Sequence, residues 1–286
     1  MKVAVFGLGY VGTVSAACLA KQGHSVVGVD INAVKVELIN SGKSPIVERD
    51  LDELLQRGRQ DDLLSATLDA ANALQHAEVS LICVGTPSRE NGALDLTFVK
   101  AVVRQIGEFL RERSERHLVA IRSTMLPGSL TNEIQPVLEE ASGRTIGDTL
   151  GLCVNPEFLR EGTAVSDYFS PPFTLIGSSA DWAAQTLSAL YEHLDAPVIQ
   201  TDIRVAEMVK YCCNAFHALK VTFANEIGQL CKKWEIDSHH VMDVFVQDTH
   251  LNISAKYLRP GFAFGGSCLP KDLRALLQRA RNSDLD

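Results

Sequence analysis

The chain has 286 residues, 46% of them hydrophobic and 22% charged, which is the balance of a soluble globular protein with room for one large domain or two ordinary ones. A formal net charge of −8 argues against a nucleic-acid or anionic-membrane surface, which would need a basic patch. The first apolar run, Val3–Phe6, stops at Gly7, too short for a signal peptide or a membrane span, and the seven cysteines lack any Cys-x-x-Cys pair, so they read as reduced thiols of a cytoplasmic protein.

Lys2–Phe6 predicts a short buried strand, Thr13–Gln22 a helix, and Ser25–Asp30 a second strand. At the first strand-to-helix turn stands Gly7-Leu8-Gly9-Tyr10-Val11-Gly12, a G-x-G-x-x-G. Its glycines permit a tight turn, close approach of a pyrophosphate, and close helix–strand packing, and the helix N-terminus then faces the phosphates. The motif alone is weak. With a strand before it, a helix after it and Asp30 closing the second strand, it points to a bound dinucleotide. Asp30 is placed to accept hydrogen bonds from a ribose diol and would repel a 2′-phosphate, which favours NAD over NADP. Lys35, one turn into the next helix, tempers that preference.

The alternation continues. Val79–Val84 predicts a strand ending in Gly85-Thr86-Pro87, and Thr97–Arg113 a helix. Leu118–Ile121 predicts a strand ending in Arg122-Ser123-Thr124, and Leu130–Ala141 a helix with Pro136 inside it. Leu150–Val154 predicts a strand ending in Asn155-Pro156-Glu157, followed by strand Phe173–Ile176, helix Trp182–His193 and strand Pro197–Gln200. Such alternation implies a mostly parallel, doubly wound sheet, whose ligands lie outside the carboxyl ends of the strands. Thr86, Thr124 and Glu157 then share one rim beside the glycine-rich turn. Helix capping is the alternative use of Thr and Glu at strand ends.

From about Thr201 the character changes. Ile203 to about Lys233 predicts one long helix, on the order of 45 Å at 1.5 Å per residue, suited to a spine between domains or an oligomer interface. Lys210, Asn214, His217 and Asn225 fall in one narrow sector of it, among mostly apolar neighbours. Such groups are costly to bury without partners, and a solvated face is the alternative. Asp237–Phe245 predicts another helix. His239 and His240 are adjacent and point apart on it, so no metal site is expected there. Lys256 and Arg259 supply cations, and Tyr257, Phe262 and Phe264 supply stacking surface, a mix that fits phosphate-plus-ring recognition and equally fits a plain loop.

Gly265-Gly266-Ser267-Cys268-Leu269-Pro270-Lys271-Asp272 closes the pattern. Two glycines allow a tight turn, and Pro270 suits the first position of a helix. Cys268 then stands just outside a helix N-terminus, beside Lys271, and both features favour the nucleophilic thiolate. These eight residues fit a reactive thiol and a structural one equally well. A cysteine beside an NAD domain becomes useful when an aldehyde must become an acid: the thiolate adds, hydride leaves, and water hydrolyses the thioester. Lys210 and Asn214 would stabilise the developing oxyanion. The whole reads as an α/β chain, with a doubly wound Rossmann-type domain over residues 1–200 and a long-helix, all-α central domain over residues 201–286 that carries Cys268.

Gly7–Gly12, Val84-Gly85-Thr86-Pro87, Arg122-Ser123-Thr124, Asn155–Gly162, Lys210-x-x-x-Asn214, Asn225-Glu226 and Gly265–Asp272 together resemble the signature of the UDP-glucose/GDP-mannose dehydrogenase family. His217 and the run Tyr257–Phe264 are more similar to its GDP-mannose-oxidising branch than to the UDP-glucose one. The resemblance implies a four-electron oxidation of the C6 hydroxyl of GDP-mannose to the carboxylate of GDP-mannuronate, an alginate precursor, with two NAD in succession. It implies Cys268 as nucleophile, Lys210 and Asn214 as oxyanion and substrate contacts, and Thr124, Glu157 and Asp272 as groups that place water or move protons. It assigns Glu161, His217, Asn225, Lys256, Tyr257, Arg259, Phe262 and Gly265 to the sugar-nucleotide site. Tyr10, Val11, Asp30, Lys35, Thr86, Thr124 and Lys271 would join the glycines Gly7, Gly9 and Gly12 around NAD.

It further implies a homodimer or higher oligomer built on the long helix. The family carries a third, C-terminal domain that closes over the nucleotide, and the chain's stop at Asp286 reads as a truncation before it. Rival readings change the substrate to UDP-glucose or a UDP-N-acetyl sugar, or make the chain a two-electron hydroxyacid dehydrogenase, which leaves Cys268 unexplained. A last alternative is a non-catalytic NAD-binding or dimerisation module.

Overall fold

The computed structural model describes residues 1–233, 235–249 and 261–282. It contains two compact units, Met1–Pro87 with Asp95–Lys210, and Ser88–Leu94 with Tyr211–Asp286.

In the first unit, β1 (Lys2–Phe6), β2 (Ser25–Val29), β3 (Leu64–Thr67), β4 (Val79–Ile82), β5 (His117–Ile121), β6 (Leu150–Val154), β7 (Thr174–Ser178) and β8 (Val198–Thr201) form one sheet. Their spatial order is β3-β2-β1-β4-β5-β6-β7-β8, with parallel neighbours except for the antiparallel pair β6–β7. The connecting helices are α1 (Tyr10–Lys21), α2 (Ala33–Asn40), α3 (Leu51–Gln60), α4 (Ala70–Leu74), α5 (Thr97–Leu110), α6 (Gln135–Ser142), α7 (Ala164–Phe169) and α8 (Asp181–Ala189). The chain works outward one way from β1 and the other way from β4. The crevice between those two strands is the switch point at which such sheets bind ligands.

Helices on both faces leave the central strands buried and mostly apolar. Every residue of β5 and β6 is buried. Helix α1 is buried from Gly12 to Ala20 and joins a core with Leu51, Leu55 and Leu64, where each buried leucine contributes about 1.5–3 kcal/mol.

Sequence periodicity did not reveal β3, α3, α4 or α7. The strand β3 has four residues, of which only Leu64 and Ala66 are buried, and α4 and α7 are five and six residues long. The expected helix 130–141 is two elements. A π-helical turn covers Leu130–Ile134 and α6 starts at Gln135, with Pro136 in its first turn. The π-helical turn runs straight into α6, and Pro136, which has no N–H to donate, stands at that junction.

The long helix α9 spans Ile203–Lys233, the bounds its composition implies. Its first two turns count with the first unit, and the segment Ser88–Leu94 counts with the second. In the second unit α10 (Ser238–Phe245) packs Met242 against Ala224 of α9. Asp237 caps α10 by accepting the backbone amides of His239 and His240 at 2.9 and 3.3 Å. Helix α11 spans Leu269–Arg281. No helix of the described residues is long and apolar enough to cross a membrane.

One buried group away from the rim sets an acid limit on stability. His117 opens β5 with its Nε2 2.9 Å from the Ser80 hydroxyl, and burial pushes its pKa down to about 4. The unfolded chain, with a pKa of about 6.5, takes up a proton that the folded chain refuses, so stability falls as pH drops from about 6.5 towards 4. Replacing His117 by glutamine is expected to flatten this acid limb, by up to about 3 kcal/mol over that window. Urea denaturation at pH 7 and pH 5 checks it; an identical pH dependence in the two proteins would contradict it.

Candidate active site

The glycine-rich turn joins β1 to α1. A Cβ at Gly12 would stand 1.8 Å from the Gly7 carbonyl oxygen, so only glycine lets helix and turn approach this closely. A Cβ at Gly9 would meet nothing within 4 Å, which leaves open space at the N-terminus of α1. That space, the free helix end and a carboxylate at the C-terminal end of β2 are what a pyrophosphate and ribose require. Asp30 supplies the carboxylate. It accepts the Leu8 amide at 2.7 Å and the Asn32 amide at 2.9 Å, and Lys35 Nζ stands 3.5 Å away. The Lys35 charge is thus engaged by Asp30, which weakens its claim on a 2′-phosphate. Val11 is half-buried in the first turn of α1.

The strand-end loops are stitched to one another. Thr86 donates to the Thr124 carbonyl at 2.9 Å, and Ser123 donates to the Val84 carbonyl at 2.6 Å. Asn155, at the end of β6, shares a buried triangle with Arg122 and Tyr191. Arg122 Nη1 reaches Asn155 Oδ1 at 2.5 Å and the Tyr191 oxygen at 2.7 Å, and Tyr191 donates to Asn155 at 2.5 Å. This triangle holds the segment that leads directly into Glu157.

Glu157 and Lys210 form a buried pair, each side chain 7% exposed, with Nζ and Oε1 3.1 Å apart. Lys210 also donates to the Glu157 carbonyl at 2.7 Å and lies 5.4 Å from the Phe158 ring centre. The other Glu157 oxygen accepts the Leu159 amide at 2.7 Å. One turn earlier on α9, the buried carboxylate of Glu207 accepts the Gly128 and Leu130 amides at 2.6 and 2.9 Å. Burial raises the Glu207 carboxyl, opposed by those two amide bonds. The start of α9 therefore grips both the loop after β5, which carries Thr124, and the loop after β6.

In the second unit Asn214 donates to the Asp272 carboxylate, and both are buried. Lys271 donates to the other Asp272 oxygen at 2.6 Å, so its ammonium is turned to that carboxylate and not to the neighbouring thiol. Cys268 is exposed, and its carbonyl accepts the Asp272 amide at 2.9 Å, the first bond of α11. It is the residue that caps the helix, as expected. Pro270 is the second helical residue and not the first, since both positions lie in the turn whose amides need no partner. Gly266 has φ +82°, a left-handed turn that favours glycine.

Asn225 accepts the Gly261 amide at 2.6 Å and donates to the Phe262 carbonyl at 3.1 Å, while the Phe262 side chain is fully exposed. His217 is half-buried, and Gly265 and Glu161 are exposed. The expected substrate residues Lys256, Tyr257 and Arg259 lie outside the described residues. Among the other thiols, burial pushes Cys18 and Cys83 up to about 12 and Cys153 up to about 11, so those three stay protonated.

Tyr191, Glu207 and Glu48 were invisible to motif reading. Glu48 accepts from Tyr10 and from the Gly162 amide, and Gly162 is 114 residues away in sequence. A capping carboxylate on a different element has no local signature.

Residues 1–195 match the model of the UDP-glucose/GDP-mannose dehydrogenase family, NAD binding domain, and residues 204–286 match that family's central domain. The chain is 54% identical over 286 residues to the GDP-mannose 6-dehydrogenase of Pseudomonas syringae pv. tomato, over 100% of this chain and 65% of that protein. A ternary complex of GDP-mannose dehydrogenase from Pseudomonas aeruginosa aligns with a TM-score of 0.87 and 53% identity, over 100% of this chain and 66% of that one. A UDP-glucose dehydrogenase from the archaeon Pyrobaculum islandicum aligns with a TM-score of 0.94 and 37% identity, over 99% of this chain and 64% of that one. The chain thus spans about 65% of the length of the curated relatives it matches.

Proposed function

The chain belongs to the UDP-glucose/GDP-mannose dehydrogenase family, and from that premise we propose that it oxidises C6 of GDP-mannose from alcohol to carboxylate, a step towards an alginate-type polysaccharide. The choice of sugar nucleotide is supported by 54% identity to a GDP-mannose 6-dehydrogenase against 40% to a UDP-glucose 6-dehydrogenase. The observation that carries the reading is a buried polar pair on α9, Lys210 and Asn214. Lys210 and Asn214 are taken out of water and matched to Glu157 and Asp272, the carboxylates expected to move protons.

NAD, when bound, accepts one hydride at each of two oxidations. Gly9, Gly12 and the start of α1 would hold its pyrophosphate, and Asp30 its adenosine ribose. Lys210 holds the C6 oxygen by a hydrogen bond, and as the hydride leaves C6 the hydroxyl proton passes to the Glu157 carboxylate that pairs with Lys210. The Cys268 thiolate adds to the aldehyde carbon, and Asn214 with Lys210 stabilises the oxyanion. Loss of the second hydride leaves a thioester at Sγ. Water, placed by Thr124, Glu157 and Asp272, splits it into the carboxylate and the free thiol.

The same helix supports assembly. Val205, Met208, Phe216, Leu219 and Phe223 are between 36% and 61% exposed and recur at spacings of three and four residues through the exposed Cys212. A helix with polar groups inside and an apolar stripe outside fits a homodimer seam. Leu219→Glu is expected to shift the protein to monomer in sedimentation velocity; an unchanged dimer would contradict that seam.

Initial rates with GDP-mannose, UDP-glucose and UDP-N-acetyl sugars, side by side with NAD, test the substrate. GDP-mannose is expected to be preferred at least about tenfold in kcat/KM, a difference of about 1.4 kcal/mol. Preference for a UDP-sugar would overturn the assignment of the sugar nucleotide and leave the reaction class standing.

A further inference from the structure

Glu48 lies in the loop between α2 and α3, and its carboxylate is a junction of the first unit. One oxygen accepts the Tyr10 hydroxyl and, at 2.8 Å, the Gly162 amide; the other accepts the Ala164 amide at 3.2 Å. The Tyr10 oxygen itself accepts the Gly162 amide at 3.0 Å. Burial, and then the bond to Glu48, push the Tyr10 phenol up, so it remains a donor. One phenol and one carboxylate thereby close the space between the glycine-rich turn and the segment Arg160–Ala164.

Both ends of this junction are supported. The Ser44 amide bonds to the Asp52 carboxylate at 2.7 Å, and the Ser44 hydroxyl to the Ile46 carbonyl at 2.6 Å. Asp50 takes a left-handed φ of 62° to turn the chain into α3. Glu48 thus reaches out from a fixed loop. On the opposite side Asp167 accepts the Arg160 amide at 2.9 Å and its guanidinium at 2.5 Å. Glu161 has neighbours pinned on both flanks, by Asp167 and by Glu48 with Tyr10, while its own side chain is exposed. Its charge lies near enough to Tyr10 to act on the phenol.

We propose that Glu48 is a positioning residue: through Tyr10 it couples the glycine-rich turn to the Arg160–Ala164 segment, so that a dinucleotide bound at the turn orders the segment that presents Glu161. This rests on Tyr10 facing the cofactor and does not depend on which sugar nucleotide is oxidised. Coupling of this kind is reciprocal, so ordering of the segment also tightens the turn.

Hydrogen exchange of the peptide covering residues 159–165, without ligand and at saturating NADH, tests it in the native protein and in Glu48→Gln. Glutamine keeps the size but sets an NH₂ donor against the Tyr10, Gly162 and Ala164 donors, so at least one bond must break. Without ligand, the Gly162 and Ala164 amides are expected to exchange about tenfold faster in Glu48→Gln, the effect of one lost bond to a charged acceptor. NADH is expected to slow the segment at least about fivefold in the native protein and less than about twofold in the variant, a loss of most of an ordinary coupling. Equal protection by NADH in the two proteins would overturn the coupling. A variant that loosens β1 and β4 as much as the segment would show a merely structural role and overturn it too. If the native protein binds no NADH, it is the cofactor reading that falls, and the ligand-free comparison still decides whether Glu48 holds the segment.

Discussion

Cys268→Ser is expected to abolish acid formation, lowering it by at least about 10³-fold, because a serine hydroxyl without a paired base is a poor nucleophile. The substitution suits the test because of where the residue sits. Cys268 is exposed, and its structural service is to cap α11 through its carbonyl, which accepts the Asp272 amide. Serine is a preferred cap, so the helix keeps its start and the fold keeps its stability. The loss would then be chemical. An aldehyde trapped by hydroxylamine, with one NADH per trapped sugar, is the expected signature of a first oxidation without the second. Turnover to acid at the native rate would remove Cys268 from the mechanism.

Lys210→Met is expected to do two separable things. Glu157 would be left buried with its cation gone, which costs about 3–5 kcal/mol for a pair this enclosed. The proposed oxyanion donor would be gone as well, which is expected to cost about 10²–10³ in kcat. Adding Glu157→Gln to Lys210→Met removes the stranded charge and is expected to restore most of the stability but none of the rate. Thermal denaturation and kcat measured on native, single and double variants check this. A single variant as stable and as fast as the native protein would contradict both roles.

Much of the fold was legible because its parts carry local signals. The glycine-rich turn sits between a strand and a helix, and α9 runs from Ile203 to Lys233 without a proline, as its composition implies. Of the helical sector Lys210, Asn214, His217 and Asn225, the first two are buried and the other two half-buried, so the solvated-face alternative fails at its start and not along its whole length. The short elements were not legible, since the two buried residues of β3 leave no period to read. The supports of the site were hidden for a different reason. Arg122 and Asn155 stood in recognised motifs, but Tyr191, which completes their triangle, stands 36 residues beyond Asn155. Glu207 and Glu48 act by accepting backbone amides of distant loops, and any amide looks like any other in sequence.

In the proposed reaction one site oxidises one carbon twice. The yield of NADH per GDP-mannose consumed, with sugar nucleotide limiting and NAD in excess, measures it directly. Two NADH for each sugar nucleotide, with a carboxylate as product, is the predicted result; one NADH with an aldehyde as the final product would contradict it.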